Sequence, residues 1–248
     1  MLRTGLVMIA AAMLVIAPSA WLCAAAPAPA AAPPAAAEKP AGSGLKPNAE
    51  GWITLFDGTN LDAWQKPAAD KWKVEGGIMT WQKGCGSIWT KDTFGDFILD
   101  LEVKCDKGTN SGLFLRSAQG EKNWLHGSFE IQVAGTGGDR KPGKHDMGAL
   151  YDCYAPTAAA EKPVGEWNHF TLTFKGNSLK IVLNDKTIVD VNLDDWKDAG
   201  KNPDGSPNKF KTAYKDMARV GYLGLQDHGT PVWYRNVKVK PLSGGPTK

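Results

Sequence analysis

Apolar and polar residues alternate with a period of two in several parts of this chain, and this pattern constrains the fold most strongly. The alternating runs are Phe97–Val103, Ser128–Val133, Phe170–Phe174 and Leu179–Leu183. A period of two puts alternate side chains on opposite faces of a strand, and one apolar face is typical of antiparallel sheets. The turn dipeptides Gly176-Asn177 and Asn184-Asp185 lie between such runs. The sequence therefore predicts an all-β domain, a sandwich or jelly roll of two antiparallel sheets.

The N-terminal segment predicts export rather than structure. In residues 1–26, Arg3 precedes the apolar run Leu6–Ala17 and small residues follow, which is the order of a secretory signal peptide. That run is too short for a stable membrane span. Cys23 raises a lipoprotein alternative, but Leu22 stands where lipoprotein processing favours a small residue. We therefore expect a secreted or periplasmic protein.

The rest of the chain divides into a linker and one domain. Residues 27–49 are rich in Ala and Pro, which predicts an extended linker. Residues 50–243 are enough for a single sizeable core. The formal net charge is only +3, so the composition does not predict a nucleic-acid partner. The sequence leaves the oligomeric state open.

Cysteine usage agrees with an oxidising compartment without giving a pairing. Cys85, Cys105 and Cys153 remain once a signal peptide is removed. Such a compartment permits one disulfide among them, with one thiol left over. The motifs of zinc sites, nucleotide-binding loops and serine hydrolases are absent from the sequence.

A polar segment, Gln226-Asp227-His228-Gly229, separates two apolar runs within Gly221–Lys240. We expect these runs to be two strands that pair with each other. A His beside a carboxylate at a strand end can present a titratable group near neutral pH. The alternative is a turn with a solvated imidazole.

Three further polar positions interrupt the apolar pattern. Glu130 and Gln132 are two residues apart and leave the same strand face, which is either a solvated surface or a ligand-binding surface. Arg116 ends another strand, on the side of Phe114, and either contacts a ligand oxygen or forms a structural ion pair. Tyr151 can offer its hydroxyl from a strand of its own.

The sequence also contains two long irregular segments and a large number of tryptophan residues. The segments are Ala134–Lys144 and Asp194–Asp216, and we expect the first to flank the site because it directly follows Gln132. The chain has 10 Trp, and indole rings stack on the apolar faces of sugars. The stacking candidates are Trp89, Trp124 and Trp233, whereas Trp52, Trp64 and Trp72 are expected in the core or at its edge.

In order along the chain, several short motifs resemble the 3-keto-disaccharide hydrolase domain family, long known only as a domain of unknown function. They are GWITLFDGTNLDAW at 51–64, NSGLFLR at 110–116, FEIQV at 129–133, GALY at 148–151, GEWN at 165–168, GLQDHG at 224–229 and YRNVKV at 234–239. The resemblance implies a jelly roll similar to concanavalin A-like lectins and glucanases. It also implies a carbohydrate substrate: a glycoside whose sugar carries a ketone at C3.

The resemblance carries candidate site residues onto this chain. The matching positions are Arg116, Glu130, Gln132, Tyr151, Gln226, Asp227, His228 and Arg235. The segment Arg140–Met147 before GALY departs from the short polar segment common in the family. Substrate contacts from that loop, including one from His145, are therefore less secure.

The expected mechanism begins with removal of the C2 proton, which the C3 ketone makes acidic. We expect His228 or Glu130 to be the base, and Arg116 with Tyr151 to stabilise the enolate. Asp227 is also expected to be a catalytic residue. The expected substrate contacts come from Gln132, Gln226, Arg235, Trp89, Trp124, Trp233 and His145. The sequence does not establish a cofactor, and a divalent cation held by Glu130, His145, Asp146 and His228 is an alternative stabiliser.

Two other classes of protein remain open from the sequence. An ordinary glycoside hydrolase needs a second carboxylate, which would be Asp227 or Asp146, opposite Glu130. A non-catalytic carbohydrate-binding domain is the other alternative, because one fold can host both functions.

Overall fold

The computed structural model describes residues 43–66, 68–118, 127–136, 138 and 140–242. The predicted signal peptide at 1–26, most of the predicted linker at 27–49, and Trp124 lie outside the described residues. No helix in the described part of the chain is long and apolar enough to cross a membrane.

The described chain is built from β-strands joined by turns and loops. The strands are β1 (Ile53–Phe56), β2 (Lys73–Glu75), β3 (Ile78–Thr80), β4 (Ile88–Phe94), β5 (Phe97–Cys105), β6 (Asn110–Ser117), β7 (Phe129–Ala134), β8 (Trp167–Lys175), β9 (Ser178–Leu183), β10 (Lys186–Asn192), β11 (Gly221–Leu225) and β12 (Val232–Pro241). Short 3₁₀ turns occur at Ala68–Asp70, Leu193–Asp195 and Tyr214–Asp216. All four alternating runs singled out in the sequence are strands, so that prediction is confirmed.

Two antiparallel sheets form the sandwich predicted from the sequence. The larger has the order β10-β9-β8-β5-β12-β3-β2, with β1 also paired to β12. The smaller has the order β4-β11-β6-β7. Residues 148–151 run beside the free edge of β7, since Gly148 and Tyr151 donate backbone hydrogen bonds to Gln132 and Glu130.

The expectation that the two runs of Gly221–Lys240 pair with each other is wrong. Strand β11 pairs with β4 and β6 in the smaller sheet, whereas β12 pairs with β5, β3 and β1 in the larger. The polar segment 226–229 therefore carries the chain from one sheet to the other. Because both strands need an apolar inner face, their alternation in the sequence does not reveal which sheet each one joins.

The space between the sheets is filled by the apolar faces of the strands. Leu99, Leu101, Phe170 and Leu172 of the larger sheet and Ile131 of the smaller are all 3% exposed or less. The predicted core residues Trp64 and Trp72 are also buried. Apolar burial of this kind is the main favourable contribution to the stability of the fold.

A polar contact between Ser111 and Tyr234 crosses this core. Ser111 of β6 lies 2.9 Å from the hydroxyl of Tyr234 of β12, and its Oγ donates to the carbonyl of Gln226 at 2.7 Å. Both side chains are fully buried. The pair therefore fixes the backbone of Gln226 where the chain leaves the smaller sheet.

The three described cysteines are buried and unpaired. Burial raises the pKa of the Cys85 thiol to about 11 and those of Cys105 and Cys153 to about 12. The disulfide that an oxidising compartment would permit is therefore not formed among them.

Candidate active site

The outer face of the smaller sheet carries a compact group of polar and aromatic side chains. Strand β7 supplies Glu130 and Gln132, β6 supplies Phe114, β4 supplies Trp89, and Gln226 follows β11. All five are 6% exposed or less. We call these five residues the outer-face cluster. The surface predicted at Glu130 and Gln132 is therefore a sheltered one, and not the solvated sheet face that was its alternative.

A glycine lets two members of the cluster meet across a strand. Glu130 and Gln226 come from either side of β6, and the amide Nε2 of Gln226 donates to Oε1 of Glu130 at 3.1 Å. A Cβ placed on Gly112, in the strand between them, would lie 2.7 Å from that same Oε1. Any side chain at position 112 would therefore push the carboxyl away from Gln226.

A second glycine lets an indole ring lie on the sheet. Gly224 is the cross-strand neighbour of both Trp89 and Phe114. A Cβ at position 224 would come within 2.6 Å of the Trp89 ring. The rings of Trp89 and Phe114 stack with centroids 5.1 Å apart and planes 12° apart. The predicted stacking candidate Trp89 therefore lies on the same face as Glu130.

Glu130 has the electrostatic character of a proton acceptor working near neutrality. Burial raises the pKa of Glu130 to about 8, and the hydrogen bond from Gln226 and the charge of Lys209 offset only part of that effect. Its second oxygen, Oε2, is buried and has no hydrogen-bond partner among the described residues, and the same holds for Oε1 of Gln226. A buried carboxyl with an unused oxygen and a pKa near neutrality is a group that can take a proton from a bound molecule.

The predicted substrate contact Gln132 is also in the cluster. Its amide donates to Oδ1 of Asn110 at 2.9 Å. Asn110 is held in turn by Thr230, whose hydroxyl accepts from its backbone N–H and donates to its carbonyl, both at 2.8 Å. The amide of Gln132 is thus fixed in orientation beside Glu130.

Tyr151 and Lys209 lie at the solvent side of the cluster. The segment carrying Tyr151 runs antiparallel to β7, and the backbone N–H of Tyr151 donates to the carbonyl of Glu130 at 2.9 Å. Nζ of Lys209 donates to the Tyr151 hydroxyl at 2.7 Å. Sequence reasoning missed Lys209, and the only signal was its position in the long irregular segment Asp194–Asp216. That segment supplies Lys209, whose positive charge lowers the pKa of Glu130.

Asp227 has a connecting role in the structure. Its carboxylate accepts from Trp81 Nε1 at 2.5 Å and from the backbone N–H groups of Gly86 and Gly229 at 2.9 and 2.8 Å. Burial alone would raise the pKa of Asp227, but these hydrogen bonds outweigh it and lower the pKa below its ordinary value. Asp227 therefore ties the segment after β11 to the loop before β4, and its oxygens are already occupied.

His228 is exposed at the turn that follows Asp227. Among the described residues, none forms a hydrogen bond or ion pair with its imidazole. The alternative of a turn with a solvated imidazole describes this arrangement, and it leaves Glu130 as the better placed of the two candidate bases.

Arg116 lies on the opposite side of the smaller sheet from Glu130, so its predicted placement beside Phe114 is wrong. Two residues of β6, Leu115 and Arg116, stand opposite one residue of β11, which makes a β-bulge, and Arg116 has a φ of +50°. A bulge breaks the alternation of side chains along a strand. The fully buried guanidinium contacts the Phe174 ring at 4.3 Å and pairs with Asp96 at 3.0 Å. The structural ion pair weighed for Arg116 is what forms.

Arg235 and Trp233, predicted as substrate contacts, lie on the outer face of the larger sheet, so they do not share the sheet face of Glu130. Arg235 makes a two-point ion pair with Glu102 at 2.8 and 3.0 Å and covers the Trp167 ring. The ammonium of Lys104 lies 4.8 Å from the centre of the Trp233 ring. Both residues belong to β12, which the chain places in the other sheet.

The four suggested metal ligands are not brought together. Asp146 pairs with Arg140, and His145 lies 2.9 Å from Asp152 with most of its side chain exposed. Among the described residues, no three His, Cys, Asp or Glu side chains are grouped so that they could hold a metal ion.

Comparison with known proteins places this geometry in a family. Residues 51–240 match the family described as the 3-keto-alpha-glucoside-1,2-lyase-like domain. A curated relative from Bacteroides thetaiotaomicron, named 3-keto-disaccharide hydrolase, is 28% identical over 234 residues, which cover 80% of this chain and 81% of the relative.

Solved structures agree with that match. A protein from Parabacteroides distasonis, provisionally called a glycosyl hydrolase, is 31% identical with a TM-score of 0.68, covering 77% of this chain and 99% of that one. A second from the same organism, under the same provisional description, is 24% identical with a TM-score of 0.64, covering 79% and 96%. The second of these supports the fold alone.

Proposed function

Because the chain belongs to the family of 3-keto-alpha-glucoside-1,2-lyase-like domains, we propose that it cleaves the glycosidic bond of 3-keto-glycosides, with Glu130 as the base. It is a carbohydrate-active enzyme of the glycoside hydrolase and lyase type. The observation that carries the assignment of Glu130 is its buried carboxyl, which has a pKa of about 8 and one oxygen to which no residue in the described part of the chain donates a hydrogen bond.

The proposed reaction is an elimination followed by addition of water. The free oxygen of Glu130 takes the C2 proton, which the neighbouring ketone at C3 acidifies. The resulting enolate expels the substituent at C1 and leaves a double bond between C1 and C2. Water then adds its hydroxyl to C1 and a proton to C2, which gives the free 3-keto sugar.

The outer-face cluster has side chains suited to the other needs of this reaction. Trp89, which stacks on Phe114, has an indole ring of the kind that packs against the C–H face of a sugar ring. The amides of Gln132 and Gln226 can hydrogen-bond sugar hydroxyls on either side of Glu130. Shelter from water strengthens each of these polar contacts.

The test is to follow a 3-keto-glucoside and its unoxidised parent by NMR in deuterated water with the wild-type chain. We expect the aglycone to be released from the keto sugar alone, with deuterium entering C2 of the product. The same substrates without protein report any spontaneous exchange next to the ketone. Release from the keto sugar without deuterium at C2 would rule out the elimination route.

The role of Glu130 is tested by a matched pair of variants. Glu130→Gln keeps the size of the side chain and should lower kcat by about 10²-fold or more, the scale of general-base catalysis. Glu166→Gln makes the same chemical change at an exposed position just before β8 and should leave kcat unchanged. His228→Ala, measured alongside, decides between the two bases considered from the sequence. If only that variant lost turnover, His228 would be the base.

The two alternative classes give different results in the same experiment. An ordinary glycosidase would cleave the unoxidised parent, but its second carboxylate would have to be Asp227 or Asp146, and both are already held by donors. A binding domain would shift the sugar resonances without releasing the aglycone from either compound.

We also propose that the chain is exported to the periplasm or the medium. The support is the signal-like order of residues 1–26 in the sequence. Fractionation of cells expressing the full chain, with mass spectrometry of its N-terminus, tests this. A protein that keeps Met1 and stays in the cytoplasm would contradict it.

A further inference from the structure

Tyr151, Asp152, His145 and Lys209 form a hydrogen-bonded group at the solvent side of the outer-face cluster. The backbone N–H of Tyr151 donates to the carbonyl of Glu130 at 2.9 Å. Leu150, the residue before it, stands opposite Ile131 with its side chain fully buried. These antiparallel contacts place Tyr151 directly beside Glu130 at the edge of β7. The group is thus held to the same sheet as the proposed base.

Lys209 reaches this group from a separate loop. Its Nζ lies 2.7 Å from the Tyr151 hydroxyl and 4.5 Å from the centre of the ring. Its positive charge also acts on the carboxyl of Glu130. An ammonium and a phenol therefore stand together within electrostatic reach of the proposed base.

Asp152 fixes the loop that carries Lys209. One carboxylate oxygen accepts the backbone N–H of Lys209 at 2.8 Å, and the other lies 2.9 Å from His145 Nε2. The backbone carbonyl of Asp152 accepts from Asn202 at 3.1 Å. Asp152 has a φ of +61°, a conformation that non-glycine residues adopt at some cost. This conformation is one that the surrounding contacts hold in place.

The surroundings keep Lys209 protonated. Partial burial alone would lower the pKa of Lys209, but the hydrogen bond to Tyr151 and the neighbouring Tyr151, Asp152 and Glu130 outweigh it and raise the pKa above its ordinary value. An ammonium cannot attack a ketone as an amine does. The group can donate hydrogen bonds and stabilise negative charge instead.

We propose that the Lys209 ammonium and the Tyr151 hydroxyl bind the C3 oxygen of the keto sugar and stabilise the enolate, and that Asp152 positions Lys209 for this task. The inference rests on the proposed function, because it assigns the stabiliser that the proposed reaction needs. Arg116 had been expected to fill that role and is on the other side of the sheet.

The electrons and atoms of the step balance without any further reagent. The C2–H bond breaks, its proton goes to Glu130, and its electron pair forms the C2–C3 double bond while the carbonyl pair moves onto the C3 oxygen. That oxygen carries the negative charge that Lys209 and Tyr151 stabilise. When the carbonyl re-forms, the C2–C3 pair moves to C1–C2, and the C1 substituent leaves with its own pair and takes a proton from water. The hydroxide left behind adds to C1 while Glu130 returns a proton to C2.

The test compares full-chain variants on a 3-keto-glucoside, reading aglycone release and deuterium entry at C2. Lys209→Met should lower kcat by about 10²-fold with a smaller change in KM, the scale of losing one oxyanion donor. Lys209→Arg, which keeps the charge, should recover at least part of that loss, and Tyr151→Phe should lower kcat in the same direction. Lys211→Met removes an exposed ammonium two residues away and is the matched control.

Two further readouts separate this role from a structural one. Removing the charge of Lys209 should move the pH midpoint of kcat/KM, set by Glu130, to higher pH, and Asp152→Asn should move it the same way if Asp152 positions Lys209. Borohydride added with the keto sugar should leave no adduct on Lys209. An adduct there would replace charge stabilisation with Schiff-base chemistry and overturn the proposal.

The possible failures are distinguishable. No turnover of the keto sugar by the wild-type chain would refute the proposed function itself. Wild-type turnover, with Lys209→Met as active as Lys211→Met, would refute only the role of Lys209. If Lys209→Met unfolds earlier in urea than wild type but its folded fraction keeps the wild-type kcat, Lys209 is structural and the proposal is also overturned.

Discussion

Glu130 can act as a base only when its carboxyl has lost its proton, so at the residue scale its pKa governs activity. Burial raises that pKa to about 8, which is unusual for a carboxyl but suited to proton abstraction near neutral pH. The hydrogen bond from Gln226 lowers this pKa only in part, and no other donor within the ranges that the structure describes reaches Oε2.

We therefore expect kcat/KM for a 3-keto-glucoside to rise with pH and to level off above a midpoint near 8. The sign follows because deprotonation of Glu130 creates the active form. The measurement is kcat/KM between pH 5.5 and 9.5, since this parameter reports groups of the free enzyme. Activity that is already constant from pH 6 upward would show that a group other than Glu130 titrates.

Gly112 is expected to matter for catalysis through the space it leaves open. Gly112→Ala places a Cβ 2.7 Å from Oε1 of Glu130, so the carboxyl must shift and its contact with Gln226 must break. We expect kcat to fall by about 10-fold or more, because small misplacements of a catalytic group are costly. Gly95→Ala is the control, since its Cβ would meet its nearest neighbour at 3.4 Å. Equal activity in the two variants would contradict the proposed geometry.

At the scale of elements, the bulge at the end of β6 turns the side chain of Arg116 into the core, where it has a structural role. The guanidinium of Arg116 donates to the carbonyls of Gly95 and Gly176 at 2.9 and 2.8 Å as well as to Asp96. It thereby joins the β4–β5 turn, the β8–β9 turn and β6. Burial lowers the pKa of Arg116 to about 10, so it remains charged at neutral pH.

Arg116→Met should therefore destabilise the fold without removing catalysis. We expect a loss of about 2–4 kcal/mol, below the 3–5 kcal/mol typical when one partner of a fully buried pair is removed, because Asp96 is partly exposed. Urea denaturation measures the loss, and kcat is measured on the folded fraction. Arg116→Lys keeps a positive charge, so its free energy of unfolding should lie between those of wild type and Arg116→Met. A variant with wild-type stability and low kcat would return Arg116 to the active site.

At the scale of the whole molecule, the buried carboxyl of Glu130 links stability to pH. Its pKa is about 8 in the folded chain against 4.5 as the ordinary value. Between these values the folded chain holds a proton that the unfolded chain has released. The contribution of Glu130 to stability is thus full below about pH 4.5 and is lost as pH rises through about 8.

Glu130→Gln cannot titrate at this position, so it should become more stable relative to wild type as pH rises from 5 to 8. The expected slope of the difference in unfolding free energy approaches about 1.4 kcal/mol per pH unit. Urea denaturation of both proteins at several pH values measures it, and the difference cancels the titration of the other groups. Glu166→Gln in parallel controls for the loss of a carboxylate as such. A difference that does not change with pH would mean that Glu130 is not buried as described.

The sequence by itself determined the class of fold and the central residue of the candidate site. Period-two alternation in Phe97–Val103 and Phe170–Phe174 depends only on each strand having one buried face, which is a local requirement. The same logic put Glu130 and Gln132 on one face and fixed their opposition to Ile131. The motifs around them indicated the family, and both the fold and the family are confirmed.

Only the tertiary structure decided which residues meet. Strands β11 and β12 have similar alternation but join different sheets, which removes Arg235 and Trp233 from Glu130. The bulge turns Arg116 inward, and a loop without periodicity brings in Lys209. Such outcomes depend on register, bulges and long-range contacts, which the identity of neighbouring residues does not specify. Local alternation determines which face of a strand a side chain occupies. The residues that this side chain contacts are determined by strands and loops that are distant in sequence.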